Sequence, residues 1–379
     1  MAYNFLYIDD EQQEKIDGTI SGLKCDELNI TFSNPDPSWD EQIKILIEGQ
    51  NEIDGIILDL RLQEEVNQAK GGKANYRGST LAQELRTLSK EKLLKDLPII
   101  LLSATEQIDK SFDSTGIDLF DLRIVKDQVQ EKDYPIFQRK LIAIAKAYIN
   151  AKDLDTDNVP ENLKSMLGNT KDLQIDFRLL DVLSQLIIAK HPFHQTSKFI
   201  LKEIVCKPGV LINERYLAAR LGVNIADSPD WEKLINLLDY FRYNGFFHDA
   251  WKRWWASELP VWWKKNVSKE TDLQSLNAKQ RVDILKEIFQ LANLVPDIKL
   301  PKCSSSNFWV VCQGTSKPIA IIDGFRTAGG LHSYPWVEQH YVSIDAALER
   351  TNILAWKGLS PLEKERLEQV QKFYTRERK

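Results

Sequence analysis

The chain has 379 residues, 43% hydrophobic and 28% charged, which is ordinary for globular protein and too long for one core. Two or three domains are expected. A formal net charge of -5 is mild and argues against a general nucleic-acid binder, which needs concentrated lysine and arginine.

The amino terminus, MAYNFLYIDDEQQ, lacks the basic flank and long apolar core of a secretion signal. It opens with a strand-length apolar run, Tyr3–Ile8. A weaker run, Asn29–Ser33, follows, and then Ile53–Leu58, Pro98–Leu102 and Leu122–Val125. Apolar spacing of three to four residues predicts helices over Asp40–Glu48, Ser79–Ser89 and Tyr134–Ala151. Continuous apolar strands alternating with helices imply a parallel sheet covered on both faces. Five strands in this order suit an α/β, flavodoxin-like doubly wound fold over residues 1–151.

Residues 152–170 are polar, carry a proline and read as a linker into a short helix. A mainly helical domain is expected over 171–300, from Leu173–Lys190, Thr196–Cys206, Glu214–Leu221, Trp231–Tyr243 and Ala278–Leu291. Residues 301–379 turn strand-like: Phe308–Cys312 and Pro318–Asp323, separated by QGTSK, predict a hairpin. The last helix, Pro361–Arg378, is densely charged and reads as largely solvated. No apolar run approaches the roughly 18–20 residues of a membrane span, and the four cysteines form no CxxC pair. A cytoplasmic chain with reduced thiols is the expectation.

In a doubly wound sheet the carboxyl ends of the strands converge. Here those ends carry Asp9 and Asp10, then Asp59, then Ser103, then Lys126. Crowded carboxylates repel one another unless a cation or proton neutralises them. Oxygen ligands without His or Cys favour Mg2+, which leaves coordination positions for phosphate oxygens. The set suits phosphoryl transfer to an aspartate.

The segments FLYIDDE, GIILDLRL, PIILLSAT and RIVKD, in that order, resemble the receiver domains of two-component response regulators. The resemblance covers roughly residues 1–150. It implies that Asp59 accepts a phosphoryl group from a histidine kinase or phosphotransfer protein. It further implies Mg2+ held by Asp10 and Asp59, by Asp9 through water, and by the Arg61 carbonyl, with Ser103 and Lys126 on the phosphoryl group. Gly78, opening GSTLAQELR, matches the start of the third helix. Three features depart from the family pattern. The stretch from Asp59 to Gly78 is long, Arg123 stands where many receivers carry Tyr or Phe, and Asp127 replaces the usual proline.

The remaining chain resembles no output domain. Glu214–Asn224 (ERYLAARLGVN) is similar to the first helix and turn of a helix-turn-helix, but the helix after it is acidic, which argues against reading bases. Trp251, Trp254, Trp255, Trp262 and Trp263 stand among Lys252, Arg253, Lys264 and Lys265. They read first as core, second as a docking surface for a protein partner, and third as a stacking platform for single strands. His191, His194 and His248 lack metal-ligand spacing, and Asp323, Glu338 and His340 stay unassigned. No catalytic set is found downstream. The functional expectation is a phospho-accepting signalling protein that acts on its own carboxyl-terminal region by protein contact. An adaptor or phosphate sink, or a DNA-binding regulator, is the alternative.

Overall fold

The computed structural model describes residues 2–67, 69–104, 116–154, 157–168, 175–330 and 334–377. Ala104 ends one described stretch, and Leu173 and Arg378, which bound two expected helices, lie outside them.

Five strands form one all-parallel sheet: β1 (Tyr3–Ile8), β2 (Leu28–Ser33), β3 (Gly55–Leu58), β4 (Ile99–Ser103) and β5 (Leu122–Val125). Their spatial order is β2-β1-β3-β4-β5, the flavodoxin-like doubly wound order. Strand order reverses between β1 and β3, so the carboxyl ends of these two strands flank the crevice. Among the described residues, the helices beside the sheet are α1 (Gln13–Leu23), α2 (Trp39–Gly49), α3 (Gly78–Lys90) and α4 (Tyr134–Asn150).

Alternation along the strands sorts the core. Ile8, Ile56, Leu58, Ile99 and Leu101 pack with Leu46 of α2 and with Leu81, Leu85 and Leu88 of α3. Phe5, Tyr7, Ile57, Ile100 and Leu102 are buried outside that cluster, as strands covered on both faces require. Helix α1 was not expected from the sequence, because Gly18 and Gly22 interrupt its pattern. Gly22 is there for close approach: a Cβ would lie 2.3 Å from the Tyr134 ring of α4. Gln138 of α4 also donates to the carbonyls of Gly22 and Lys24 at 2.8 and 3.0 Å.

Contacts divide the chain into two compact units that are not consecutive in sequence. The first is Met1–Gly168, Asp181–Leu201 and Asn244–Trp251; the second is Asn169–Leu180, Lys202–Tyr243 and Lys252–Lys379. Within residues 152–170, the helix Val159–Leu167 buries Met166 and Leu167. The first unit also holds a buried polar network. Arg86 donates to the carbonyls of Leu97 and Leu119 and to Asp121 Oδ2, the last at 2.8 Å. Asp121 Oδ1 accepts from Tyr148 at 2.6 Å and Ser197 at 3.2 Å, and the His194 amide donates to Asp96 at 2.9 Å.

The rest of the chain is mostly helical with small antiparallel sheets. Its helices include Glu214–Leu221, Trp231–Asn236, Glu258–Asn266, Ala278–Phe289 and Lys364–Glu377. The expected hairpin exists with short strands, Val310–Val311 against Pro318–Ile319. The helix expected over Trp231–Tyr243 stops at Asn236 and continues as a separate turn, Asp239–Phe241. The expected Thr196–Cys206 helix is an α-helix, Phe193–Phe199, that widens into a π-helical turn, Ile200–Val205.

The tryptophan segment Trp251–Trp263 follows its first reading, as core, and corrects only the second, since its indoles are not exposed for docking a partner. All five indoles are buried. Trp254 and Trp255 form a short strand paired with Leu211–Ile212, and the helix Glu258–Asn266 turns Leu259, Trp262 and Trp263 inward. Trp262 stacks on Phe289, and Trp263 Nε1 donates to the Thr271 carbonyl at 2.9 Å. Trp251 packs edge-on against Phe247 in the first unit.

Candidate functional site

Parallel pairing places the ends of β1, β3, β4 and β5 at one edge. Ile8 pairs with Leu58, and Ser103 pairs with Val125, so Asp9, Asp59 and Lys126 each stand one residue past a paired strand end. The amide of Asp59 donates to the Ile8 carbonyl at 3.0 Å, which fixes the Asp59 backbone beside β1. Gly78 closes the opposite side. Its amide donates to the Leu60 carbonyl at 2.9 Å, and a Cβ there would lie 1.9 Å from the Asp59 carbonyl oxygen.

Three carboxylates meet at this edge. Asp9, Asp10 and Asp59 are all buried, and one oxygen from each lies within 4.8 Å of the others. Among the described residues this is the only such cluster of potential metal ligands. Lys126 Nζ lies 2.6 Å from Asp9 Oδ2 and 3.1 Å from Asp59 Oδ1. Asp59 Oδ1 is buried and accepts no hydrogen bond of good geometry, while Asp59 Oδ2 accepts from the Arg61 amide at 2.6 Å. Ser103 is fully buried at the end of β4. Arg123 is exposed on β5, opposite Leu101.

The electrostatics follow from this crowding. Burial pushes the Asp59 carboxyl up to about 6, since the attraction of Lys126 does not offset desolvation and the neighbouring Asp9. Burial also raises Asp10, against the lowering effect of the amides of Glu65 and Glu64. For Lys126, burial opposes the charge, but Asp59 and Asp9 outweigh it and hold the ammonium above its ordinary range. Lys126 is therefore a fixed cation between two anions.

Two participants go beyond the sequence reading, one unforeseen and one legible only as an unusually long stretch beside the acceptor. Tyr7 donates its hydroxyl to Asp9 Oδ2 at 2.5 Å, and burial and Asp9 hold it neutral by raising its pKa well above the ordinary value. In sequence it is one more aromatic in an apolar strand. The second is the long stretch after Asp59. The amides of Glu64 and Glu65 donate to Asp10 Oδ2 at 2.5 and 2.8 Å. Lys15 holds the Glu65 carboxylate at 2.9 Å. Asn67 donates to the Pro35 carbonyl at 2.9 Å, and Tyr76 to that of Asp36 at 2.7 Å. The stretch is thus anchored on residues 35–42 and reaches the carboxylate cluster by its backbone. Its amide donors could not have been found from residue types.

Other candidates settle differently. His194 and His248 each face one carboxylate, Asp96 at 3.8 Å and Asp249 at 3.0 Å. Asp323 is buried and accepts from the Ser304 amide and hydroxyl and the Ser305 amide at 2.7–2.9 Å, so it anchors a loop. Glu338 pairs with buried Arg220. In ERYLAARLGVN the residues from Tyr216 to Leu221 are all buried, and Gly222 ends the helix in the left-handed conformation. All four cysteines are free thiols. No described helix is long and apolar enough to cross a membrane.

No protein-family model matches the chain. No curated protein matches it either. Among solved structures, an adenylate cyclase from Rhodopirellula baltica is 12% identical, covers 40% of this chain and 96% of its own, with a TM-score of 0.30. The phosphorylated cyanobacterial phytochrome response regulator RcpA is 16% identical over 36% of this chain and 90% of its own, with a TM-score of 0.26. The HemR receiver domain from Leptospira biflexa is 21% identical over 37% of this chain and 94% of its own, with a TM-score of 0.25. Similarity this slight carries no argument.

Proposed function

We propose that the first unit is a phospho-accepting receiver, in which Asp59 takes a phosphoryl group from the phosphohistidine of a histidine kinase or phosphotransfer protein. The observation that carries it is the meeting of Asp9, Asp10, Asp59 and Lys126 at the carboxyl edge of the sheet. Asp59 Oδ1, buried and facing the Lys126 ammonium at 3.1 Å, is the attacking oxygen. It forms the O–P bond as the P–N bond to the donor imidazole breaks, and the departing imidazole nitrogen takes a proton from solvent. Lys126 pairs with a phosphoryl oxygen, and the Ser103 hydroxyl donates to another.

The all-oxygen set fits Mg2+, with Asp10 and Asp59 as direct ligands, Asp9 through water and the Arg61 carbonyl as the backbone ligand. Bound there, the cation supplies charge neutralisation for the transferred oxygens. The acyl phosphate replaces a single buried carboxylate by a group of higher charge with more acceptor oxygens. That change redirects Lys126 away from Asp9. The output is protein contact with the carboxyl-terminal region, and β5 carries exposed Arg123 at the position of the usual aromatic residue. Free thiols fit a cytoplasmic setting.

The test is labelling by a small phosphodonor with Mg2+. Wild-type protein should take up label that is lost in Asp59→Asn and in Mg2+-free buffer. Label retained by Asp59→Asn at the wild-type level overturns the assignment.

A further inference from the structure

Arg281 lies on the helix Ala278–Phe289 of the second unit and is only 1% exposed. Its Nε donates to the Leu273 carbonyl at 2.9 Å, and its Nη1 to the carbonyls of Arg220 and Phe308, both at 2.8 Å. Among the described residues no carboxylate lies within ion-pair distance of it, and Nη2 makes no hydrogen bond. Desolvation alone acts on the guanidinium and lowers its pKa to about 10. A buried charge without a counter-charge is costly, and three carbonyl dipoles only partly replace one.

Arg281 lines a cavity of about 350 Å3 together with Gln274, Ser305, Asn307, Trp309 and the segment Ala320–Ile322. The volume is within the range of small-molecule sites. The lining has two halves. Gln274, Ser305 and Asn307 offer uncharged hydrogen-bonding groups beside the guanidinium. Trp309, Ile321 and Ile322 form an apolar wall, with Ile321 47% and Ile322 69% exposed. The wall carrying Ser305 and Asn307 is built, since Asp323 accepts hydrogen bonds from Ser304 and Ser305 and Ser305 Oγ accepts from the Asn307 amide at 3.0 Å.

We propose that this cavity binds a small monocarboxylate with an apolar body, its carboxylate on Arg281 and its body against Trp309, Ile321 and Ile322. The lining holds one cation and no second, so a monoanion neutralises it, whereas a phosphate dianion leaves excess charge near Asp323. Charge-assisted hydrogen bonds donated by the two N–H groups of Nη2 to the carboxylate complete the five-donor set of Arg281. The site is independent of the phosphoryl chemistry at Asp59.

The probe is benzoate, titrated into the full chain by calorimetry in low-chloride buffer, with neutral benzamide as the comparison. Benzoate should bind saturably at one site and benzamide at least about tenfold more weakly. Asn307→Asp, at an exposed position, adds a negative charge at the cavity and should weaken benzoate at least about tenfold without lowering the melting temperature. Arg281→Met should abolish binding, but it also frees three carbonyls, so Asn307→Asp is the deciding variant. Equal binding of benzoate and benzamide, no saturable benzoate heat below about 10 mM, or unchanged affinity in Asn307→Asp each overturns the proposal.

Discussion

Asp10 and Glu65, fifty-five positions apart, are joined by a 2.8 Å hydrogen bond from the Glu65 amide to the Asp10 carboxylate. The Glu64 amide makes the same contact at 2.5 Å. One oxygen of Asp10 is therefore occupied by the backbone of the long stretch after Asp59, and the other is left for a cation. The extra length of that stretch acts as a cradle for a proposed metal ligand.

Asp10→Asn should separate charge from geometry at this contact. The amide oxygen still accepts from Glu64 and Glu65, so the cradle persists while one crowded anion disappears. Mg2+-dependent labelling of Asp59 should fall on the order of a hundredfold, as expected for losing one direct ligand. The melting temperature in chelator should rise. A variant that labels normally would remove Asp10 from the metal site.

The Asp59 carboxyl gives a pH dependence with a defined sign. Its folded-state pKa is raised from 3.8 to about 6, so between those values the folded state binds more protons than the unfolded state. Stability of the chelated protein should therefore fall as pH rises from about 4 to about 6, then level off. Asp59→Asn removes that loss and should stabilise the protein at pH 8 by up to about 3 kcal/mol. Denaturant melts of both proteins in chelator at pH 5 and pH 8 test this. Stabilisation by the variant that is equal at both pH values contradicts it.

Gly78→Ala places a methyl group 1.9 Å from the Asp59 carbonyl oxygen, so backbone must move. We expect a loss of about 2–3 kcal/mol and impaired labelling of Asp59, because the displaced backbone carries the acceptor. Denaturant melts and the phosphodonor assay read the two effects. Wild-type behaviour in both would mean that the start of α3 yields freely.

Arg86→Met leaves Asp121 buried with its cation gone, while Tyr148 and Ser197 still donate to it. The expected loss is about 3–5 kcal/mol. Adding Asp121→Asn should recover part of it, since the stranded charge is then removed. Urea melts of the two single variants and the double variant measure the coupling. Additive losses would show that the pair does not act together.

Trp263→Ala should cost about 3–5 kcal/mol, because the indole is fully buried and its Nε1 donates to Thr271. A docking residue would instead leave stability unchanged, and chemical unfolding separates the two outcomes.

The sequence by itself determined the strand-helix alternation of the first 150 residues, and with it which residues stand at strand ends. Apolar runs of strand length such as GIIL and IILLS, alternating with helical stretches, read as parallel strands buried on both faces, and this places Asp9, Asp59, Ser103 and Lys126 at one edge. Helix α1 was hidden, because Gly22 answers to a ring over a hundred positions away and not to local propensity. Contacts between distant residues belong to the tertiary structure alone. Composition favoured core for the tryptophan segment but left a surface open, and burial decided for core. The amides that hold Asp10 and the unpaired guanidinium of Arg281 have no signature in residue type, because both depend on which backbone groups the fold brings within hydrogen-bonding distance.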